Sequence, residues 1–206
     1  MSYERKVKTG LYILGFGGHA RSVADIAMAA GVQELVFVDP AATPGASFAG
    51  FPAVTEIPGC LPEGWGILPA IGDNHRRRAA CDGVAALATV ISPDASIGVA
   101  ASIGSGTVVA RHAHIGPNAR VGLGVIVNTG AVVEHDCEVG DFTHVAVNAT
   151  VAGSCRIGAN VMIGAGATVI DGISICDNAV IGAGAVVVGD LTEQGVYVGT
   201  PARRIR

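Results

Sequence analysis

Aromatic residues are scarce in this chain. They make up 4% of its 206 residues, although 50% of the residues are hydrophobic. A core of this composition has to be filled by small aliphatic side chains, which favours a narrow, regularly stacked fold over a globular core built around rings. No apolar run approaches the roughly 18 residues of a membrane-spanning helix. We therefore expect no membrane partner.

A strongly basic surface and a metal-type cysteine pattern are also missing. The net charge is −4 with no basic stripe, which argues against nucleic acid as a partner. The first ten residues are polar and basic, and no apolar segment with a cleavage site follows them, so we expect no secretory signal. The five cysteines are odd in number and lack metal-type spacing. We expect reduced thiols, no metal and a cytoplasmic protein.

A six-residue repeat runs from Ile91 to Val187. Every sixth position in it is Ile or Val, a period that neither a helix nor a flat strand produces. Three such units form one 18-residue coil of a parallel β-helix, so about six coils are predicted. The residue two before each aliphatic is small or aliphatic, which predicts two inward positions per strand. The residue after it is often Gly, as expected at a corner with positive φ (residues 98, 104, 116, 122, 140, 158, 164 and 182).

The residues before this repeat alternate strands with helices. Strands are predicted at residues 11–14, 35–39, 51–54 and 67–71, and helices at residues 21–30 and 74–87. This order is typical of a small parallel α/β sheet. The predicted domains are a Rossmann-like domain over residues 1–90 and a β-helix domain with a C-terminal tail over residues 91–206.

A glycine-rich turn follows the first predicted strand. Gly15-x-Gly17-x-x-Ala20 opens the first helix, and Asp39 ends the next strand, as in a dinucleotide-binding fingerprint. Only one mononucleotide-binding half is present, so a nucleotide-sugar diphosphate at the helix N-terminus fits better than NAD. His19 either contacts the phosphate or caps the turn locally.

The sequence Glu134-His135-Asp136 interrupts the repeat at a corner. A histidine can accept the proton of an attacking amine, and a neighbouring carboxylate can fix its tautomer. Asn128, seven residues earlier, stands at a corner where most repeats have Gly, and the residues alone favour a left-handed corner asparagine there. His144 is half a coil away on a different edge of the prism. One chain cannot easily bring both histidines to one atom, so we predict a site between neighbouring subunits.

Cys137 lies two residues from His135 and raises the alternative of a covalent acyl-enzyme. It occupies the inward small position of its repeat, equivalent to Ala119 and Cys155. We therefore interpret it as a core residue and expect direct attack of the acceptor on the thioester.

Four features together resemble one family: the unbroken repeat, the turn at residues 15–20, the motif at residues 134–136 and the closing Val-Gly-Thr-Pro-Ala-Arg of residues 198–203. The chain is similar to the bacterial hexapeptide-repeat sugar acetyltransferases, which include UDP-4-amino-sugar and GDP-perosamine N-acetyltransferases and sialic acid O-acetyltransferases. The resemblance covers nearly the whole chain. It implies left-handed coils, acetyl-CoA as co-substrate and a homotrimer with inter-subunit active sites.

The resemblance also implies roles for individual residues. His135 would be the general base, oriented by Asp136 and assisted by Asn128. The implied acetyl-CoA contacts are His144, Gly153, Ala165, Ala183 and Arg203, with Arg204 a further candidate and a solvated basic C-terminus the alternative. The implied nucleotide-sugar contacts are Gly15, Gly17, Gly18, His19, Asp39, Gly72, Asp73, Asn74 and Arg77.

The implied activity is acetyl transfer to the 4-amino group of a nucleotide-linked 4-amino-4,6-dideoxy sugar in bacterial glycan biosynthesis. O-acetylation of sialic acid or a similar free sugar is the alternative. A non-acyltransferase β-helix, such as a scaffold or a γ-carbonic-anhydrase-like protein, is a third class, for which His112 and His114 are present without the expected spacing. Pro40 follows Asp39 where relatives often carry a second acid, so the nucleotide base stays open.

Overall fold

The first part of the chain folds as a five-stranded sheet with two helices. The computed structural model describes residues 9–206, and residues 1–8 of the polar N-terminal segment lie outside the described residues. The strand order is β3-β4-β2-β1-β5. These elements are β1 (Gly10–Leu14), α1 (Gly18–Ala29), β2 (Glu34–Val38), β3 (Ser47–Phe48), β4 (Phe51–Val54), β5 (Trp65–Pro69) and α2 (Asn74–Ala80).

The sheet is parallel apart from the β3–β4 pair. Its predicted elements are present, with one clear difference in α2, which was expected to reach residue 87. The helix ends at Ala80, and Gly83 then takes a φ of 75°, which a continuing helix does not allow. Leu87 instead forms a parallel bridge with Ile67 of β5.

A parallel β-helix of short strands follows. Pairing partners lie 18 residues apart, as Ile126 pairs with His144 and His144 with Met162. One coil therefore has 18 residues, as the repeat predicts. The strands are β6 (Val90–Ile91), β7 (Ser96–Ile97), β8 (Ser102–Ile103), β9 (Val108–Val109), β10 (His114–Ile115), β11 (Arg120–Val121), β12 (Ile126–Val127), β13 (Val132–Val133), β14 (Glu138–Val139), β15 (His144–Val145), β16 (Thr150–Val151), β17 (Arg156–Ile157), β18 (Met162–Ile163), β19 (Thr168–Val169), β20 (Ser174–Ile175), β21 (Val180–Ile181), β22 (Val186–Val187), β23 (Val196–Val198) and β24 (Arg203–Arg204).

The strands stack into three faces of a prism. The eight-stranded face runs from β6 to β24 through β9, β12, β15, β18, β21 and β23. The six-stranded face contains β7, β10, β13, β16, β19 and β22, and the five-stranded face contains β8, β11, β14, β17 and β20. The repeated Ile and Val side chains and the small residues two positions earlier form one continuous core inside the prism. The predicted fold class, a small α/β unit followed by a parallel β-helix, is confirmed.

The glycines that follow the repeated aliphatic residues do not have positive φ, so that expectation is wrong. The left-handed conformation falls two residues later in each corner, as at Asn118 (φ 59°) and Asp136 (φ 58°). A Cβ on Gly116 would lie 2.5 Å from the backbone nitrogen of His135 in the next coil. Only glycine tolerates so close a backbone, and the same close approach holds at Gly98, Gly104, Gly140 and Gly164.

The α/β unit packs directly on the first coils of the β-helix. Val90 and Val108 belong to the same buried cluster as the inner face of α1. Arg111 forms two ion pairs at this boundary, since its guanidinium lies 3.0 Å from Asp25 of α1 and 2.8 Å from Asp94. Neither of the described helices has the length and apolar composition that crossing a membrane would require.

Candidate active site

His135 stands at the corner between β13 and β14, at one edge of the six-stranded face. Its Nδ1 lies 2.9 Å from Asp136 Oδ2. Asp136 also accepts a hydrogen bond on Oδ1 from Asn118 Nδ2 at 3.1 Å. The His135 side chain is 56% exposed. The imidazole is therefore anchored through one nitrogen and leaves the other for a substrate.

The Asp136 carboxylate makes this imidazole more basic. The hydrogen bond to Asp136 raises the pKa of His135 above its ordinary value, and the negative charges of Asp136 and Glu134 act in the same direction. Hydrogen bonds from His135 and Asn118 lower the pKa of Asp136, so the carboxylate stays ionised. An imidazole held in one tautomer by an ionised carboxylate has the properties of a general base.

Gly153 leaves the space that the His135 ring occupies. It lies at the same corner one coil later, and a Cβ there would be 2.6 Å from both Cε1 and Nε2 of His135. The two turns are also tied by a hydrogen bond from Ser154 N to His135 O at 2.9 Å. The resemblance implies Gly153 as an acetyl-CoA contact. The structure adds that its missing side chain accommodates the imidazole.

Asn128 contacts His144 and not His135. Asn128 Nδ2 lies 3.1 Å from His144 Nε2, and His144 Nδ1 lies 3.4 Å from Gly72 O. A neutral imidazole with its proton on Nδ1 accepts from the amide and donates to the carbonyl, so this tautomer suits both contacts. Asn128 does not have positive φ. Its interpretation as a left-handed corner residue is therefore wrong, whereas its expected assistance to the histidine or to the acceptor stays a prediction.

His144, which is buried, and His19, which is half-buried, form a pair between the α/β unit and the β-helix. Their ring centroids are 6.1 Å apart. Burial, followed by the nearby charge of Arg77, lowers the pKa of each to about 4, so both rings are neutral near pH 7. The Nε2 atom of His19 is buried and has no hydrogen-bond partner among the described residues. No side chain caps α1, which argues against a local capping role for His19.

Arg77 and Asn74 have a structural role instead of the expected contact with the nucleotide. Arg77 is fully buried and donates to the carbonyls of Ile71, Gly72, Gly124 and Phe142 and to Asn74 Oδ1. These five bonds use all the donors of a guanidinium. Asn74 Nδ2 donates to the carbonyls of Asn160 and Val161 at 3.1 and 3.0 Å. The two side chains therefore fasten α2 to the β-helix.

A cleft of about 630 Å³ opens at the carboxyl ends of the parallel strands. In open α/β sheets, ligands bind at this end of the strands. Asp39 also orders one wall, because its carboxylate accepts from Phe16 N at 3.1 Å and from Ala41 N at 2.9 Å. The expected nucleotide-sugar residues that line the cleft are Gly15, Gly17, Gly18, His19, Asp39, Gly72 and Asp73.

The first turn of α1 faces this cleft without a side-chain cap. Gly17 is the N-cap, and a Cβ on either Gly17 or Gly18 would meet nothing within 4 Å. Free backbone N–H groups at a helix N-terminus attract phosphate. The turn can therefore hold an anionic group at close range.

The expected acetyl-CoA contacts fall on two different edges of the six-stranded face. Gly153 lies on the edge of His135, whereas Ala165 and Ala183 are exposed at the opposite edge, between the eight-stranded and six-stranded faces. Arg203 is exposed in β24, and its neighbour Arg204 pairs with Glu193 at 2.6 Å. One chain alone does not bring these residues together.

Cys137 is a core residue, as predicted. It is fully buried, and a hydrogen bond with Cys155 together with burial raises the pKa of its thiol. A nucleophilic cysteine needs the opposite shift and an accessible sulfur. Within the described part of the chain, no group of three or more His, Cys, Asp or Glu side chains could hold a metal ion.

Two residues in these sites were not predicted from the sequence. Asn118 supports Asp136 from one coil earlier, and the 18-residue spacing between them is a usable signal. Arg76 lines the cleft, whereas the resemblance implies its neighbour Arg77 as the nucleotide-sugar contact. Asn74, Arg77 and Cys81 share one helix face, but the sequence does not tell whether a face that contains arginine is buried.

Comparisons with known proteins agree with this architecture. Residues 10–84 match the family described as PglD N-terminal domain, and residues 154–189 match the family described as bacterial transferase hexapeptide (six repeats). No curated protein sequence matched the chain.

Solved structures match over nearly the whole chain. The acetyltransferase domain of PglB from Neisseria gonorrhoeae is 35% identical, with a TM-score of 0.90 and coverage of 96% of this chain and 100% of that chain. The same domain in complex with acetyl coenzyme A is 36% identical, with equal coverage and a TM-score of 0.89. A mutant of GDP-perosamine N-acetyl transferase from Caulobacter crescentus, in complex with CoA and GDP-perosamine, is 31% identical, with a TM-score of 0.81 and coverage of 95% and 96%.

Proposed function

The chain belongs to the bacterial hexapeptide-repeat sugar acetyltransferases, and from this membership we propose that it transfers the acetyl group of acetyl-CoA to the 4-amino group of a nucleotide-linked 4-amino-4,6-dideoxy sugar. The observation that carries the proposal is the exposed His135 imidazole with Asp136 on its Nδ1. Amide formation from a thioester needs a base that removes the proton of the attacking amine. His135 has the exposure, orientation and raised pKa for that role.

The proposed reaction proceeds by direct attack. The amine nitrogen of the acceptor bonds to the thioester carbonyl carbon, and the carbon–sulfur bond breaks. His135 Nε2 takes the proton from nitrogen and returns it to the CoA sulfur, while Asp136 holds the proton on Nδ1 and stabilises the imidazolium. The buried Cys137 takes no part, which agrees with its raised pKa.

We propose that the active site forms between subunits of a homotrimer. The six-stranded face supports this, because its outward residues are uncharged Ser, Val and Thr with one His114, as in the core of a protein interface. Its two edges carry the two halves of the expected constellation, with His135 at one edge and Asn128, Ala165 and Ala183 at the other. A neighbouring copy would bring the second edge, and with it His144, to the first.

The cleft of the α/β unit is the proposed acceptor site. The uncapped start of α1 would hold the diphosphate and Asp39 the ribose. The proposed division is a nucleotide-sugar domain over residues 1–90 and an acetyltransferase domain over residues 91–206. The open cleft favours a nucleotide-linked acceptor over sialic acid, which carries no nucleotide diphosphate.

Acetyl-CoA is proposed to lie in the groove between two β-helices. The residues proposed to contact it are His144, Gly153, Ala165, Ala183 and Arg203. His144 is neutral, because its pKa is lowered to about 4, so it would act as a hydrogen-bond partner and not as a cation. We place the reaction in the cytoplasm, where acetyl-CoA is produced, and in bacterial glycan biosynthesis.

A thiol-release assay tests the proposal. Purified protein is given acetyl-CoA with UDP-, GDP- or dTDP-linked 4-amino-4,6-dideoxy sugars, and with free sialic acid for comparison. At least one nucleotide amino sugar should be acetylated, and His135→Ala should lower kcat by about 10²–10⁴-fold with little change in the acceptor KM. Turnover of sialic acid alone would contradict the acceptor assignment, and an unchanged kcat in the variant would contradict the base.

Analytical ultracentrifugation tests the assembly. The protein should sediment as a trimer at assay concentrations. A fully active monomer would overturn the proposed inter-subunit site.

A further inference from the structure

Three consecutive arginines of α2 have three different environments. Arg77 is fully buried, with every donor satisfied by the protein. The Arg78 guanidinium lies 5.9 Å from the centroid of the Phe142 ring. The remaining residue, Arg76, lines the cleft of the α/β unit. The sequence run therefore contains one anchor, one surface contact and one side chain directed to the proposed acceptor site.

Arg76 is the only Lys or Arg among the described residues that line this cleft. Its side chain makes no ion pair or hydrogen bond with a described residue, and only its backbone N–H is engaged, with Asp73 Oδ1 at 2.8 Å. The other charged lining residues are Asp39 and Asp73, whose carboxylates accept from backbone N–H groups. His19 is neutral near pH 7 because burial lowers its pKa to about 4. An anion entering the cleft would meet two carboxylates and a single unpaired cation.

The strand order defines which part of a ligand Arg76 can reach. Neighbouring strands run in the order β4-β2-β1-β5, so their carboxyl ends place Thr55, Asp39, the turn at Gly17 and α2 in this sequence along the cleft. With the diphosphate at Gly17 and the ribose at Asp39, the base lies farther along, towards Thr55. Arg76 is on the opposite side of the diphosphate from the base.

We infer that Arg76 binds the diphosphate of the nucleotide-sugar acceptor and sets the requirement for a diphosphate-linked substrate, whichever base it carries. This inference rests on the proposed function, since it assigns a residue within the proposed acceptor site. Arg76 neutralises charge and can form bidentate hydrogen bonds with phosphate oxygens. Its contact is with the part that UDP, GDP and dTDP have in common.

Calorimetric titration of the intact protein with UDP, GDP and dTDP tests this assignment. The variants are Arg76→Gln, Arg76→Lys and, as a matched control, Arg78→Gln, which removes the same charge two residues away. Arg76→Gln should lower the affinity for each diphosphate that the wild type binds by about tenfold, and by a similar factor for each. Arg76→Lys should restore part of the affinity, and Arg78→Gln should stay within about twofold of wild type. Arg76 is exposed, so the thermal midpoint of unfolding should not change.

Kinetics provide a second measurement. Arg76→Gln should raise the KM for the nucleotide sugar about tenfold and leave the KM for acetyl-CoA and kcat near wild-type values. Unchanged diphosphate affinity in Arg76→Gln would overturn the inference alone, as would a loss of affinity for only one of several diphosphates that the wild type binds. If the wild-type protein bound none of the three diphosphates, the proposed acceptor class would be overturned, and the inference with it.

Discussion

Replacement of Gly153 by alanine should displace the imidazole of His135, the proposed base, without changing any of its chemical groups. The added Cβ would lie 2.6 Å from Cε1 and Nε2 of His135, whereas ordinary contacts begin near 3.4 Å. The ring must therefore shift by about 0.8 Å or rotate away. Such a movement also disturbs the 2.9 Å hydrogen bond between His135 Nδ1 and Asp136. Both the position and the basicity of the proposed base depend on the missing side chain.

A displacement of this size is expected to lower kcat by about 10²-fold, since misplacement by about 1 Å has an effect of that order. The acid limb of the kcat–pH profile should also move to lower pH, because a weakened bond to Asp136 removes the main cause of the raised pKa. Gly189→Ala is the matched control. Gly189 follows at the same corner two coils later, and a Cβ there meets nothing within 4 Å.

Thiol release from acetyl-CoA with a saturating nucleotide amino sugar measures both effects. Circular dichroism and sedimentation establish that each variant keeps its fold and assembly. If Gly153→Ala kept kcat within about threefold of Gly189→Ala, with the same acid limb, the ring would not be acting from this position. The assignment of His135 as the base would then fail.

Three further predictions concern charge and burial. Asp136→Asn should lower kcat and shift its acid limb to lower pH, because the base must be neutral and its pKa returns towards the ordinary value; a pH–rate profile measures both. Arg77→Met should reduce the free energy of unfolding by about 3 kcal/mol, since it leaves several buried carbonyls without a donor; urea unfolding at fixed protein concentration measures the loss, with Arg78→Met as the control. Burial lowers the pKa of His19 and His144 from 6.5 to about 4, so the unfolded state binds more protons in that window and the free energy of unfolding should fall as the pH drops from 6.5 towards 4. Replacing both histidines by asparagine should flatten this slope.

The β-helix could be predicted because its determinants are periodic. Each coil needs inward aliphatic and small residues at fixed positions, and these appear as letters in the sequence. The reason for the corner glycines could not be derived in the same way. A glycine can be required either by a positive φ or by a closely approaching backbone, and only the stacked coils show which reason applies. At Gly116 it is the backbone, because an added Cβ would lie 2.5 Å from the His135 nitrogen.

For the site residues too, local contacts could be predicted from the sequence and long-range contacts could not. The pairing of His135 with Asp136 is local, so adjacency in the sequence was enough to predict it. The partners of Asn128 and Arg77 come from other coils or from across the unit boundary, 16 and 47 residues away for His144 and Gly124. Nothing in the sequence distinguishes a buried arginine that anchors a helix from an exposed one that meets a ligand. The resemblance therefore implies Arg77 as a nucleotide contact, although the fold buries its guanidinium completely.

Stacking nevertheless gives the β-helix a rule that a sequence can reveal. Neighbouring coils are about 4.8 Å apart, so a ring that lies flat along a corner covers a neighbouring coil, as His135 covers Gly153 in the next one, and leaves no room there for a side chain. His135 and Gly153 are 18 residues apart and meet this condition. The same corner holds Pro117 in the coil before His135 and Asp171 in the coil after Gly153. A bulky functional residue followed by glycine at one coil's distance is thus a sign of a side chain held flat on the surface. Substitution at the glycine should then perturb function as strongly as substitution near the reacting group itself.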